Sequence, residues 1–169
     1  MVIDADTGKA KADFAAGDHL HEVMAIPGGN LVLTTNSGDN SARILNAADG
    51  SLIASVPTAK DPDAAIYDPA GGLVLVMGGD SGEITFVDVK AAKAVGSLVV
   101  GGALEFPALD GKGRLFVNVE DKNEIAVIDL ASRKVIRRYP LAGCKGPGGL
   151  AYVTGGRLFR PAPTAWRRS

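Results

Sequence analysis

Cysteine, histidine, aromatic residues and long apolar runs are scarce in this chain, and each scarcity removes a class of protein. There is one cysteine, Cys144, in 169 residues. No intramolecular disulfide can form, and no cysteine-based zinc cluster can be built. Histidine occurs only at His19 and His21, so a haem-ligating or catalytic imidazole has to be one of these. Aromatic residues make up 5% of the chain, too few for the stacking platform that binds single-stranded nucleic acid. No apolar run approaches the ~18 residues of a membrane-spanning helix. The opening stretch, MVIDADTGKAK, lacks the basic start and apolar core of a signal peptide. Acids are missing from the last thirteen positions, where Arg157, Arg160, Arg167 and Arg168 fall. The other 156 residues carry 14 basic against 19 acidic side chains, a net of −5. A mildly acidic body speaks against a broad phosphate-binding face.

Helical periodicity is also missing. The apolar runs are three to five residues long, rich in Val, Ile and Leu, and bounded by Gly, Asp, Asn and Pro, which is strand patterning. What the chain has in quantity is repetition. A leucine follows a glycine-containing turn at Leu31, Leu73, Leu115 and Leu158, in steps of 42, 42 and 43 residues. A polar residue follows an apolar pair at Asp4, Asn46, Asp88 and Asp129, in steps of 42, 42 and 41. Two independent anchors agree to within one residue. A period near 42 with several short strands per unit is the signature of a β-propeller blade.

The fold class read from this pattern is all-β, with blades of four antiparallel strands forming an incomplete propeller. Residues 1–16 read as the last half of a blade. Residues 17–58, 59–100 and 101–142 read as whole blades, and 143–159 as the first half of another. The strands expected in the first whole unit are 23–26, 31–35, 42–45 and 52–56. In the second they are 64–67, 73–77, 84–87 and 95–100, and in the third 106–109, 115–119, 125–128 and 135–139. The second strand of each unit is apolar on both faces, which fits a blade packed between two neighbours. From Arg160 the pattern breaks into a basic tail, 160–169. Two prolines and three arginines there cannot serve as a central strand, and the tail reads as a truncation or a frameshifted reading. Residues 1–16 and 143–159 also offer complementary halves of one blade that would close a four-bladed ring, a reading ranked below the fragment.

Ten residues before each leucine anchor stand His21, Asp63, Glu105 and Gly148. This position starts the strand nearest a propeller channel. His21, Asp63 and Glu105 are therefore the candidate ligand-binding residues, a ring of polar groups at a channel mouth for a cation or a small polar ligand. His19 and His21 also offer two imidazoles on one face of an extended strand, but two donors fall short of a metal site, and no metal or other cofactor is assigned. Asp61-Pro62-Asp63, Asp39-Asn40 and Asp80-Ser81-Gly82 lack the spacing of a calcium loop and read as turn residues. The Gly143–Gly148 run is not a phosphate loop, and Cys144 beside Lys145 reads as a passive thiol. The recurring Asp4, Asn46, Asp88 and Asp129 read as scaffold, each accepting backbone N–H bonds at the end of a third strand.

Four stretches carry a family resemblance: Gly146-Pro147-Gly148-Gly149-Leu150-Ala151-Tyr152, Arg114–Val117, Ile125–Asp129 and Val2–Lys9. Together they are similar to the YVTN-type, WD40-like β-propeller repeat of YncE-like proteins, over residues 1–159. The resemblance implies a seven-bladed propeller exported to the periplasm or cell surface. It also implies two minority roles, a nucleic-acid binder and a haem-carrying redox relative. The reading favoured by the residues is a non-enzymatic binding or interaction module, a fragment of a larger protein, partnered by a small polar ligand or a protein. A cofactor- or metal-dependent enzyme is the alternative. A single-stranded nucleic-acid binder comes third and is opposed by the acidic body. Open blade faces are expected to drive self-association.

Overall fold

Alternating short apolar runs and glycine- or Asp-centred turns give, in a computed structural model describing residues 1–14 and 16–161, sixteen strands in five antiparallel sheets. β1 (Val2–Ile3) and β2 (Ala10–Ala12) make a two-stranded sheet. Three four-stranded sheets follow. The first holds β3 (Leu20–Ile26), β4 (Leu31–Asn36), β5 (Ser41–Asn46) and β6 (Leu52–Pro57). The second holds β7 (Pro62–Asp68), β8 (Leu73–Gly78), β9 (Glu83–Asp88) and β10 (Lys93–Val99). The third holds β11 (Leu104–Leu109), β12 (Arg114–Val119), β13 (Glu124–Asp129) and β14 (Lys134–Pro140). β15 (Ala151–Val153) and β16 (Arg157–Phe159) form the last pair. Within each sheet, spatial order follows chain order, so every connection is a hairpin. The innermost strands β3, β7, β11 and β15 touch their counterparts in the next sheet. The chain is all-β, a set of β-propeller blades in an open arc.

Side-chain alternation along the second and third strands explains why they are apolar throughout. In β8, Val74 and Val76 face the first four-stranded blade, where they meet Leu33, Ala42 and Ile44. Leu75 and Met77 face the other way, into a core shared with Leu115, Val117, Val119 and Ile128 of the third blade. Phe86 is buried in that same interface, and the Arg133 guanidinium lies 4.4 Å from its ring centre. One face packs backwards and the other forwards, so neither can be polar. The outermost strands β6, β10 and β14 are largely exposed. Leu115, like Leu158, is one residue out of phase with Leu31 and Leu73. It faces the preceding blade, as Val74 does, whereas Leu73 packs toward the following one.

The two half sheets lie on opposite flanks. Phe14 packs on Gly50, and Thr34 Oγ1 donates to the Ala16 carbonyl at 3.1 Å, fixing the N-terminal segment to the first blade. At the other end Tyr152 stacks on Phe116 with ring centres 5.8 Å apart, and Asn118 Nδ2 donates to the carbonyls of Gly148 and Gly149. Three whole blades separate the pairs, and β1–β2 and β15–β16 are distinct sheets. The shared blade that would close a four-bladed ring is therefore not formed. The N-terminal flank is loosely sealed: Met1, Val2, Phe14, Leu20, Val23 and Val32 line a groove of about 200 Å³. Of the half blade expected at residues 1–16, the structure shows β1 and β2, and Ala15 lies outside the described residues. Of the expected tail, Arg160 and Pro161 are described without strand structure, and residues 162–169 lie outside the described residues. No helix among the described residues is long and apolar enough to cross a membrane.

Candidate functional site

The blades present two rims. On one, the turns after the first and third strands carry carboxylates and amides that bond their own backbone. Asp4 Oδ1 accepts from the amides of Asp6 and Thr7, Asn46 Oδ1 from Ala48, Asp88 Oδ1 from Ala91 and Asp129 Oδ1 from Ser132. This is the scaffold role expected from their recurrence. The Lys11 ammonium and the Thr7 amide and hydroxyl hold the Asp4 carboxyl down at about 2. Asp110 caps Lys112 N and Arg114 N and pairs with the Arg114 guanidinium at 2.7 Å, its side chain fully shielded. Burial works against its ionisation, but these bonds outweigh it and hold its carboxyl below the usual range.

The opposite rim, where the first strands begin, is different. Antiparallel register slips between Leu20 and Val23, between Pro62 and Ala64, and between Leu104 and Pro107. His21, Asp63 and Glu105 stand inside these three bulges. A bulge re-aims a side chain that regular pleating would point elsewhere. His21 Nδ1 lies 3.4 Å from Asp63 Oδ1, and its Nε2 is 2.9 Å from Ser37 Oγ in the adjoining turn. Glu105 sits one blade further on, within hydrogen-bond reach of Glu120 and close enough to feel the charges of Asp63 and His21. The fourth position, Gly148, contributes only a carbonyl, taken by Asn118.

Sequence spacing did not show two further acids on this rim. Asp61 adopts a left-handed φ of 57° and joins His21 and Asp63 in a group whose donor atoms all lie within 4.8 Å of one another. Its amide donates to Asn40 Oδ1 at 2.9 Å, and its carbonyl accepts from Gly79 N at 2.7 Å. Gly79 also makes room for Asp63, since a Cβ there would collide with the carboxylate. Glu120, at the turn after β12, is the second. Burial and then the neighbouring Asp61 charge raise the Asp63 carboxyl above its ordinary value, with His21 opposing. Burial, then Glu120 and Asp63, raise Glu105. Burial first, and then like charges that His21 opposes only in part, account for the direction. Asp80 is the exception, paired with Lys60 at 2.9 Å.

The two imidazoles do not share a face. His19 has a φ of 47° and precedes β3, so the extended spacing that would align it with His21 does not hold. It faces Asp18 instead, 3.5 Å away. Cys144 is buried with Arg160 Nη1 donating to its sulfur at 2.7 Å, a packed position in place of an exposed nucleophile. Asp39 accepts from Ser41 and Arg43 and is a turn residue, as its spacing implies.

No family model and no curated protein matches the chain. Among solved structures it is similar to the hydrazine synthase of Kuenenia stuttgartiensis, with a TM-score of 0.76 and 19% identity. The alignment covers 91% of this chain and 44% of that one, so the chain spans less than half of that neighbour's length. At this identity the likeness speaks to fold alone.

Proposed function

We propose that the chain is a non-enzymatic propeller binding module, of the YncE-like type and part of a longer exported protein, that holds a cationic ligand against its bulge rim. One observation carries the reading: three successive blades break register at the same place, and each break holds His21, Asp63 or Glu105. Asp61, Asp63, Glu105 and Glu120 then give the rim a concentrated negative field, which attracts cations and repels phosphate backbones. Self-association belongs to the same proposal, through the apolar flank where Val2, Leu20 and Val23 are exposed.

The test is calorimetric titration of the full chain with spermidine, a small organic polycation. Saturable binding should weaken steeply with salt and fall at least fivefold in Glu105→Gln/Glu120→Gln. Absent binding, or equal binding by that variant, would refute the reading. A second reading, an enzyme, draws on Glu105, because burial and then Glu120 shift its carboxyl toward the protonated form that can donate a proton. It requires a substrate turned over by the wild type and not by Glu105→Gln.

A further inference from the structure

The bulge rim contains one corner where three metal-ligating side chains of two kinds meet, at the junction of the first and second four-stranded blades. We propose that His21, Asp61 and Asp63 bind a divalent first-row transition cation such as zinc or manganese. The proposal rests on the reading of the rim as a cation-binding surface, and narrows it to a metal ion at one corner.

Ser37 Oγ stands 3.3 Å from the His19 carbonyl, to which it can donate, and 2.9 Å from His21 Nε2. When Ser37 gives its hydrogen to that carbonyl, it accepts from His21 Nε2–H, the tautomer that a metal bound at Nδ1 requires. Nδ1 is left as a bare lone pair, and 3.4 Å in front of it lies Asp63 Oδ1, also an acceptor. Two acceptors at that distance repel unless a positive species lies between them. A proton would draw them to the ~2.8 Å of a charge-assisted hydrogen bond. A metal ion would not, because donors bound at about 2.1 Å around a tetrahedral centre stand roughly 3.4 Å apart. In that tautomer the Ser37 contact does for His21 what an outer hydrogen bond does for a metal-bound histidine: it holds the proton on Nε2 and aims the free nitrogen.

Asp61 supplies the third donor. Hydrogen bonds to Asn40 and Gly79, from two different blades, pin its backbone in a left-handed conformation that a non-glycine residue occupies only under constraint. One imidazole and two carboxylates leave a coordination position for water or for a polar group of a ligand. This donor set suits zinc and manganese better than the thiolate-seeking ions.

Zinc titrated into the full chain, followed by calorimetry, should show one ion per chain. His21→Ala and Asp63→Asn should each weaken it at least tenfold, and Ser37→Ala several-fold. His19→Asn, which removes the other imidazole and tolerates the left-handed backbone, should leave affinity within twofold. Absence of saturable uptake, or uptake lost with His19 and kept without His21, would overturn the site. A measurement on the wild type guards against misfolded variants: substoichiometric Mn²⁺ should broaden the amide signals of Asp61, Asp63 and Gly79 first, and broadening that begins elsewhere would overturn it. If spermidine binds as expected while zinc does not, the metal site fails and the cation-binding rim stands. If neither binds, both fail.

Discussion

The two rims use the same kind of residue to opposite ends. On the turn rim each carboxylate closes on backbone amides a few residues away, and Asp4, Asp110 and Asp129 ionise more readily than a free aspartate. On the bulge rim the carboxylates of Asp63 and Glu105 are half-buried beside other acids and ionise less readily. A recurring acid whose oxygens are used locally serves the fold. A recurring acid left facing its equals costs stability, and such costs gather where something else is to be bound.

The contrast can be broken most forcefully at Asp110. Asp110→Ala strands two amides and the Arg114 guanidinium around a shielded position, and urea unfolding should show a loss of about 3 kcal/mol. A change near zero would remove the structural reading of the turn rim. Next comes Gly79→Ala, which drives a Cβ into the Asp63 carboxylate. Cation binding should fall about tenfold, roughly 1.4 kcal/mol, while the melting temperature shifts little, since the carboxylate can swing away. Asp63→Asn should act in the opposite direction to Asp110→Ala, gaining about 0.5 kcal/mol by relieving repulsion from Asp61.

The pH dependence separates the rims most finely. Asp110 has a folded pKa below its unfolded value, so its contribution is present above about pH 4 and is lost as pH falls through the folded pKa. Glu105 has a folded pKa above its unfolded value of about 4.3, so its burden appears as pH rises through that window and is complete above the folded pKa. Stability measured by urea melts should rise with pH on the acid side of about 4 and decline just above it. Asp110→Asn should reduce the first slope, which Asp4 and Asp129 share, and Glu105→Gln the second, which Asp63 shares.

Much of the fold was legible because blade packing writes itself into composition. A strand buried on both faces must be apolar at every position, as in LVLVM at 73–77, and the turn that follows must bend. The first strands were read two or three residues short, since β3 opens with Leu20-His21-Glu22 and β7 with Pro62-Asp63, and polar openings hide a strand. Spacing picks out His21, Asp63 and Glu105 because they occupy equivalent bulges, which is a matter of position in the sheet. It does not pick out Asp61 and Glu120, whose places on the rim depend on pairing: Asp61 bonds Asn40 and Gly79, and Glu120 comes beside Glu105 where β12 pairs with β11. The Asp61-Pro62-Asp63 run was visible but reads as an ordinary turn until the left-handed backbone at Asp61 is seen. The same device at His19 broke the pairing of the two histidines.

The most direct measurement is the unfolding free energy of the Asp63→Asn/Glu105→Gln double variant, at neutral pH and without added cations, against the wild type. If the bulge rim is held for a ligand at the expense of the fold, the variant unfolds at equal or higher urea concentration. If it unfolds at clearly lower urea, these carboxylates hold the blades together, and the distinction between the two rims is contradicted.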